Sequence, residues 1–196
     1  MGMRYAQVKT LNKIATYNAN WLSINGLCRA HGLEVIYQKD IHHPDFLAML
    51  RCLNLDLIIS VAAPSIFRSE LIDLPRLGCI NIHHAPLPRY RGMMPNFWQL
   101  YHGEESVGVT IHQINPEIDE GKIILQEQVK VEPDESLDLL IKRTKRLGAH
   151  YMVKAIYLLR NGKVQYKENR PGEGSYFSFP TRDDVRRFRQ MGHRLL

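Results

Sequence analysis

Gly78-Cys79-Ile80-Asn81-Ile82-His83-His84-Ala85-Pro86-Leu87-Pro88-Arg89-Tyr90-Arg91-Gly92 is the stretch on which the reading of this chain turns. Residues 77–82 read as a strand, and residues 83–92 as a loop rich in Pro, Arg and His. Side chains two apart on a strand share a face, so Asn81 and His83 point the same way. Just upstream, Leu55-Asp56-Leu57-Ile58-Ile59-Ser60-Val61 is a short, nearly continuous apolar run, the pattern of a parallel strand covered on both faces. A short helix is predicted between these strands, over 65–71. Working back toward the N-terminus, the sequence predicts a helix opening at Pro44, a strand over 33–37 and a helix over 21–30. The alternation across 21–82 makes this an α/β chain with an open, Rossmann-like sheet of mostly parallel strands.

Working forward, Pro95 opens a helix through Phe97, Trp98, Leu100 and Tyr101. Two strands follow, over 108–114 and 122–131. In the first, Val109, Ile111 and Gln113 alternate with Thr110, His112 and Ile114. Asn115-Pro116-Glu117-Ile118-Asp119-Glu120-Gly121 joins them as a loop of turn formers. Acidic residues at 134–135 favour a helix start, and Leu137, Leu140, Ile141, Thr144, Gly148, Tyr151, Ala155 and Leu158 recur at helical spacing. Asn161-Gly162 ends that helix. A last strand is predicted over 163–166, followed by irregular basic chain. The organisation expected is an N-terminal lead-in (1–20), an α/β domain (21–166) and a basic C-terminal extension (167–196).

The composition sets limits on function. The 196 residues are 44% hydrophobic and 23% charged, which excludes disordered and fibrous classes. No apolar run approaches a membrane span and residues 1–10 lack a signal-peptide core, so no membrane partner and a cytoplasmic setting are expected. Three cysteines without a C-x-x-C fit a reducing compartment. The net charge of +6 admits an anionic small molecule as readily as nucleic acid.

Asn81 and His83 stand where ligands bind in open α/β sheets, beyond the carboxyl ends of strands. An amide donor beside an imidazole can stabilise an oxyanion and handle a proton. Without further context, an Asn-x-His pair more often satisfies loop backbone and packs a strand end. Asp119 is a possible orienting carboxylate, but a turn-forming Asp beside a Gly is commoner, and spacing alone does not connect it to His83. His83, His84, His112 and Asp119 match no standard zinc pattern, so no metal is expected.

Residues 55–131 resemble the formyltetrahydrofolate-dependent formyltransferase domain. That domain is shared by phosphoribosylglycinamide, methionyl-tRNA and amino-sugar formyltransferases and by formyltetrahydrofolate hydrolase. The carrying motifs, in order, are Asn81-Ile82-His83, Leu87-Pro88-Arg89-Tyr90-Arg91-Gly92, Gly108-Val109-Thr110-Ile111-His112 and Ile118-Asp119-Glu120-Gly121-Lys122-Ile123-Ile124-Leu125-Gln126. The resemblance implies 10-formyltetrahydrofolate as formyl donor and a small-molecule amine, on a sugar or sugar nucleotide, as acceptor. It implies three catalytic residues. Asn81 would donate to the oxygen that turns negative, His83 would move the proton lost by the amine, and Asp119 would hold His83 or a water. The donor would sit against Ala63, Pro64, Ser65, Ile66 and Phe67 and against Asn115, Pro116 and Glu117. His84, Arg89 and Arg91 are the candidate acceptor contacts. Hydrolysis of the donor is an alternative, as is a catalytically impaired homologue that binds folate or a partner. Methionyl-tRNA formylation ranks lower.

Two departures shape further expectations. Ala85 stands where the family usually has a serine. The family's opening strand, helix and strand find no match in 1–20, which predicts a sheet shortened at the N-terminus, or a truncated chain. The strand over 33–37 is then expected to pair with 55–61 through a right-handed crossover; a detached strand would instead leave an edge that drives homodimerisation.

Overall fold

The structure, a computed structural model, describes residues 23–196. The expected lead-in over 1–20 and the first residues of the predicted helix lie outside the described residues. The elements are α1 (Ile24–Ala30), α2 (Pro44–Cys52), β1 (Ile58–Ser60), α3 (Ser69–Ile72), β2 (Cys79–His83), β3 (Arg91–Gly92), α4 (Pro95–Tyr101), β4 (Ser106–Gln113), β5 (Ile123–Lys130), α5 (Leu137–Arg160), β6 (Tyr176–Phe177) and α6 (Arg182–Gln190).

The main sheet has the order β1-β2-β4-β5. β1 and β2 are parallel, while β4 runs antiparallel to both β2 and β5. Three of the four strands therefore point one way, and β4 runs against them. A tight connection explains the reversal: β4 and β5 are joined by the turn-rich loop at 114–122 rather than by a helix.

Strand alternation divides the sheet into two chemistries. Ile80, Ile111 and Ile124 are buried with Met152, Ala155 and Leu159 of α5. Helix α5 lays Leu140, Thr144, Gly148, Met152, Ala155 and Leu159 along one buried stripe, as three- and four-residue spacing requires. Gly148 has no room for a side chain, because an added Cβ would lie 2.9 Å from Ile82 Cγ2. The opposite face carries Asn81, His83 and His112. The register sets Asn81 beside His112 and, on the other side, beside Ser60 at the end of β1.

Two predicted strands do not form. Residues 33–37 pair with no described strand, so the expected crossover to 55–61 is not made. Their apolar content goes into packing instead: Ile36 seats against the cluster of Phe46, Leu47, Leu50 and Phe67, while Tyr37 stays exposed. The predicted strand at 163–166 is also absent; only Lys167 bridges to Ile123.

The C-terminal segment, expected as irregular, is ordered and folds back. α6 begins with a capping box between Thr181 and Asp184. Its Phe188 is fully buried and stacks on Phe97 with ring centroids 4.6 Å apart. β6 pairs with β3, and Trp98 Nε1 donates to the Ser178 carbonyl at 2.9 Å. Among the described residues, no helix is long and apolar enough to cross a membrane.

Candidate active site

The site is built on the polar face of β2 and β4. Asn81 and His83 come from alternate positions of β2, and His112 comes from the antiparallel neighbour at Asn81's register. The β4–β5 register shifts between Ile111 and His112, with Ile124 of β5 left out of the pairing. Asp119 arrives from the β4–β5 loop in a left-handed conformation, φ 56°, which Asp tolerates better than most residues. Two positions on, Gly121 lies against the Gln113 carbonyl with no space for a Cβ. The loop thus folds tightly enough to bring Asp119 back over the sheet.

Asp119 is the centre of the cluster. One oxygen accepts from the Gly92 amide at 2.9 Å and lies 3.4 Å from His83 Nδ1; the other lies 3.5 Å from His112 Nε2. Burial alone would raise the carboxyl pKa. A hydrogen bond from His112, the charge of His83 and the Gly92 amide outweigh it and hold the value at about 2. Asp119 is therefore ionised at neutral pH.

The backbone fixes the histidine tautomers. His83 Nε2 donates to the Tyr90 carbonyl at 2.7 Å, so a neutral ring leaves its lone pair on Nδ1, facing Asp119. Burial pulls the His83 pKa below 6.5, against the upward pull of Asp119 and the Tyr90 carbonyl. At neutral pH the ring is uncharged, and its 3.4 Å separation from Asp119 suits a contact with no proton between. The pair becomes an ion pair only when His83 takes a proton. His112 Nδ1 likewise donates to the Gln113 carbonyl at 2.7 Å. In the neutral state its Nε2 accepts from Asn81 Nδ2 at 3.2 Å; once protonated, it can donate to Asp119. With Nε2 unprotonated, His112 holds Asn81, whose amide then has a second N–H to give.

The structure thus brings Asn81, His83 and Asp119 together, within direct contact or one shared neighbour. His112 joins them; in the sequence it stands in the alternation of the 108–114 strand with no role given it in this site. The available signal was its place in the alternation with Thr110, but the β2–β4 register that makes it Asn81's neighbour is a tertiary fact.

The other expected site residues fare differently. His84 is not on this face. It lies on the α5 side of the sheet, its Cε1 3.4 Å from where a Gly148 Cβ would be, and burial drops its pKa to about 4. Just past the end of β2, it takes the side of the sheet opposite to Asn81 and His83, where the acceptor contact expected of it would lie apart from the cluster. This also separates it from the other members of the four-residue metal set. Arg89 and Arg91 border the site, but each already has a carboxylate. Arg89 meets Glu104 at 2.7 Å, and Arg91 is in close contact with Glu120. Arg91 Nε stays buried without a partner among the described residues.

The two loops expected to seat the donor leave the sheet beside the cluster. β1 ends level with Asn81, so residues 61–67 depart at that height. Ala63, Pro64, Ser65 and Ile66 are exposed, and no hydrogen bond joins the backbone of residues 62–65 to a described residue. Phe67 differs: its side chain is buried with Phe46, Leu71 and Cys79. In the second loop Pro116 and Glu117 are placed toward solvent, whereas Asn115 Oδ1 is buried and unpartnered among the described residues. Exposed backbone in one loop and a buried, unpartnered acceptor in the other leave hydrogen-bonding groups unspent beside the cluster.

Residues 12–156 match the formyl transferase family. A methionyl-tRNA formyltransferase from Syntrophus aciditrophicus is 35% identical over 155 residues, covering 79% of this chain and 50% of that protein. One from Thermotoga maritima is 33% identical over 162 residues, covering 83% of this chain and 52% of the other. The chain therefore spans about half the length of the curated relatives it matches. Among solved structures, the formyltransferase PseJ from Anoxybacillus kamchatkensis superposes with a TM-score of 0.65 at 26% identity, over 87% of this chain and 85% of that one; it was crystallised with UDP-4,6-dideoxy-4-formamido-L-AltNAc and tetrahydrofolate. Glycinamide ribonucleotide transformylase 1 from Symbiobacterium toebii shares the fold, with a TM-score of 0.67 at 24% identity over 74% of this chain and 73% of that one. With its motifs, its fold and three quarters of its length in agreement, this chain belongs to the formyl transferase family.

Proposed function

We propose that this protein transfers a formyl group from 10-formyltetrahydrofolate to the amine of a small acceptor, a sugar or sugar nucleotide. The observation that carries the reading is the meeting of Asn81, His83, His112 and Asp119, from three separate segments, around one ionised carboxylate. When bound, the folate supplies a formyl carbon joined to a nitrogen that can leave. The amine nitrogen bonds to that carbon, the old carbon–nitrogen bond breaks, and the proton the amine loses ends on the departing nitrogen.

The chain's own residues match each demand. Asn81 gives its second N–H to the formyl oxygen as negative charge grows there. His83, uncharged at rest, has its lone pair on Nδ1 beside Asp119, where it takes the amine's proton before passing it to the departing nitrogen. Asp119, facing that same Nδ1, then stabilises the imidazolium as an ion pair. Ala63, Pro64, Ser65, Ile66, Asn115, Pro116 and Glu117 seat the donor, chiefly through backbone. Arg91, with Nε unspent, is the stronger candidate for an anionic acceptor group; Arg89, exposed and paired, contributes less. The sugar assignment draws support from the Anoxybacillus neighbour, which binds a formamido sugar nucleotide and matches along most of its length. The higher identity of the methionyl-tRNA relatives favours the competing acceptor. We place the reaction in the cytoplasm, on the cysteine pattern.

The test incubates the full chain with 10-formyltetrahydrofolate and, separately, an amino-sugar nucleotide, glycinamide ribonucleotide and methionyl-tRNA, with products read by mass spectrometry. A formamide on the amino sugar is the expected result. Formate released at the same rate with and without acceptor makes the protein a hydrolase. No turnover with any acceptor removes the enzyme reading.

A further inference from the structure

Asp119 is held by more than its carboxylate contacts. Its backbone carbonyl accepts a 2.8 Å hydrogen bond from Asn169 Nδ2, and the same nitrogen donates to the Gly121 carbonyl at 3.0 Å. Both partners are acceptors, so the amide orientation is fixed, with both hydrogens of one NH₂ spent on one turn. Asn169 is 6% exposed, and its own oxygen has no partner among the described residues. A buried amide kept for two carbonyls of a single loop is a costly arrangement unless the loop's shape matters.

The loop in question is the one that must hold a non-glycine residue at positive φ. Residues 119–121 turn sharply, Gly121 is pressed against Gln113, and Asp119 sits left-handed at the apex. Freed of Asn169, the carbonyls of Asp119 and Gly121 lose their partners and the turn can open. The neighbouring segment adds a second tie. Ser175 Oγ accepts from the Tyr90 amide at 2.9 Å, Arg91 N donates to the Ser175 carbonyl, and β6 pairs with β3. Tyr90 and Gly92 are the residues whose backbone groups fix His83 and Asp119. Residues 167–177 thus reach both halves of the cluster, and they lie outside residues 12–156, the stretch matched to the family.

We infer that Asn169 is a positioning residue for Asp119, and that residues 167–177 brace the carboxylate and the His83 tautomer against each other. The inference deepens the formyl-transfer reading and rests on it for its kinetic consequence. Asn169 touches no reacting atom, so its effect falls on kcat rather than on acceptor KM. The titratable groups around His83 are Asp119 and His112 on its own face and the adjacent His84 on the α5 side, while Arg91 and Glu120, next in the chain to Gly92 and Asp119, pair with one another. Asp119 draws the His83 pKa upward, so a carboxylate that drifts away lets it fall.

The experiment compares Asn169→Leu, nearly the same shape without donors, with Asn169→Gln, which keeps the NH₂. The His83 imidazole titration, followed by NMR in the full unliganded chain, is expected to move to lower pH in the leucine variant, by about half a unit or more, and to return toward wild type in the glutamine variant. In the transfer assay kcat drops about 10- to 100-fold in the leucine variant while acceptor KM holds within about twofold. Should the leucine protein not fold, Asn169→Ser, with one shorter donor, carries the same test with a smaller shift in the same direction. A lower melting temperature with an unmoved His83 titration and unchanged kcat overturns the inference and leaves Asn169 a structural residue. If the wild type transfers no formyl group, the functional reading fails, and the titration still decides whether Asn169 positions Asp119.

Discussion

Replacing Asn81 with alanine should lower kcat for formyl transfer by about 10²–10³-fold, with little change in the KM of either substrate. The size follows from what one preorganised oxyanion donor contributes, about 3–4 kcal/mol in a water-poor site. The restriction to kcat follows from timing, since the formyl oxygen is a weak acceptor in the ground state and a strong one only as charge develops. The same substitution frees His112 Nε2 of its neutral-state partner, so the His112–Asp119 contact becomes its sole side-chain engagement in the cluster. Steady-state kinetics with whichever acceptor the transfer assay reveals check the prediction. A rise in KM with kcat preserved would make Asn81 a ground-state binding residue instead.

Asp119→Asn should reduce kcat by about 10²–10⁴-fold, the range for losing a charge that stabilises a histidine base. It should also move the pH profile, and the sign can be worked out. His83 must be neutral to accept a proton, so activity falls on the acid side as pH drops through its pKa, which burial already sets below 6.5. Asp119 is the first of the forces opposing that depression. Without its charge the His83 pKa falls further, so the acid limb of the Asp119→Asn profile lies at lower pH than in the wild type, beneath a much lower plateau. An acid limb that stays in place in the variant would show that the titrating group is not the one facing Asp119.

Legibility in the sequence was uneven, for physical reasons. β2 and its loop were readable because period-two alternation puts Asn81 and His83 on one face whatever the rest of the chain does. The α5 stripe was readable because its buried positions recur at helical spacing over 24 residues. Asp119 was visible only through resemblance, since a turn of Asp, Glu and Gly carries no local sign of what it faces. His112 escaped because its role depends on a cross-strand register, and Asn169 because its partners lie 48 and 50 residues away. The ordered C-terminus was hidden by five arginines in 182–196, which obscured a helix burying little besides Phe188; Thr181-x-x-Asp184 was the signal that marked it. Residues 33–37 failed the opposite way, strand-like in composition yet used for packing.

The long-range ties at 169 and 175 also set a schedule for folding. A growing chain has produced all four strands of the main sheet and all of α5 by residue 160, before Asn169, Ser175 and Phe188 exist. The β4–β5 ladder closes over a short loop, while Tyr90 must wait for a residue 85 positions later. Short closures precede long ones when loop entropy governs the order. Compactness and competence therefore arrive as separate events, and on refolding from denaturant, helix and sheet signals should recover ahead of transferase activity.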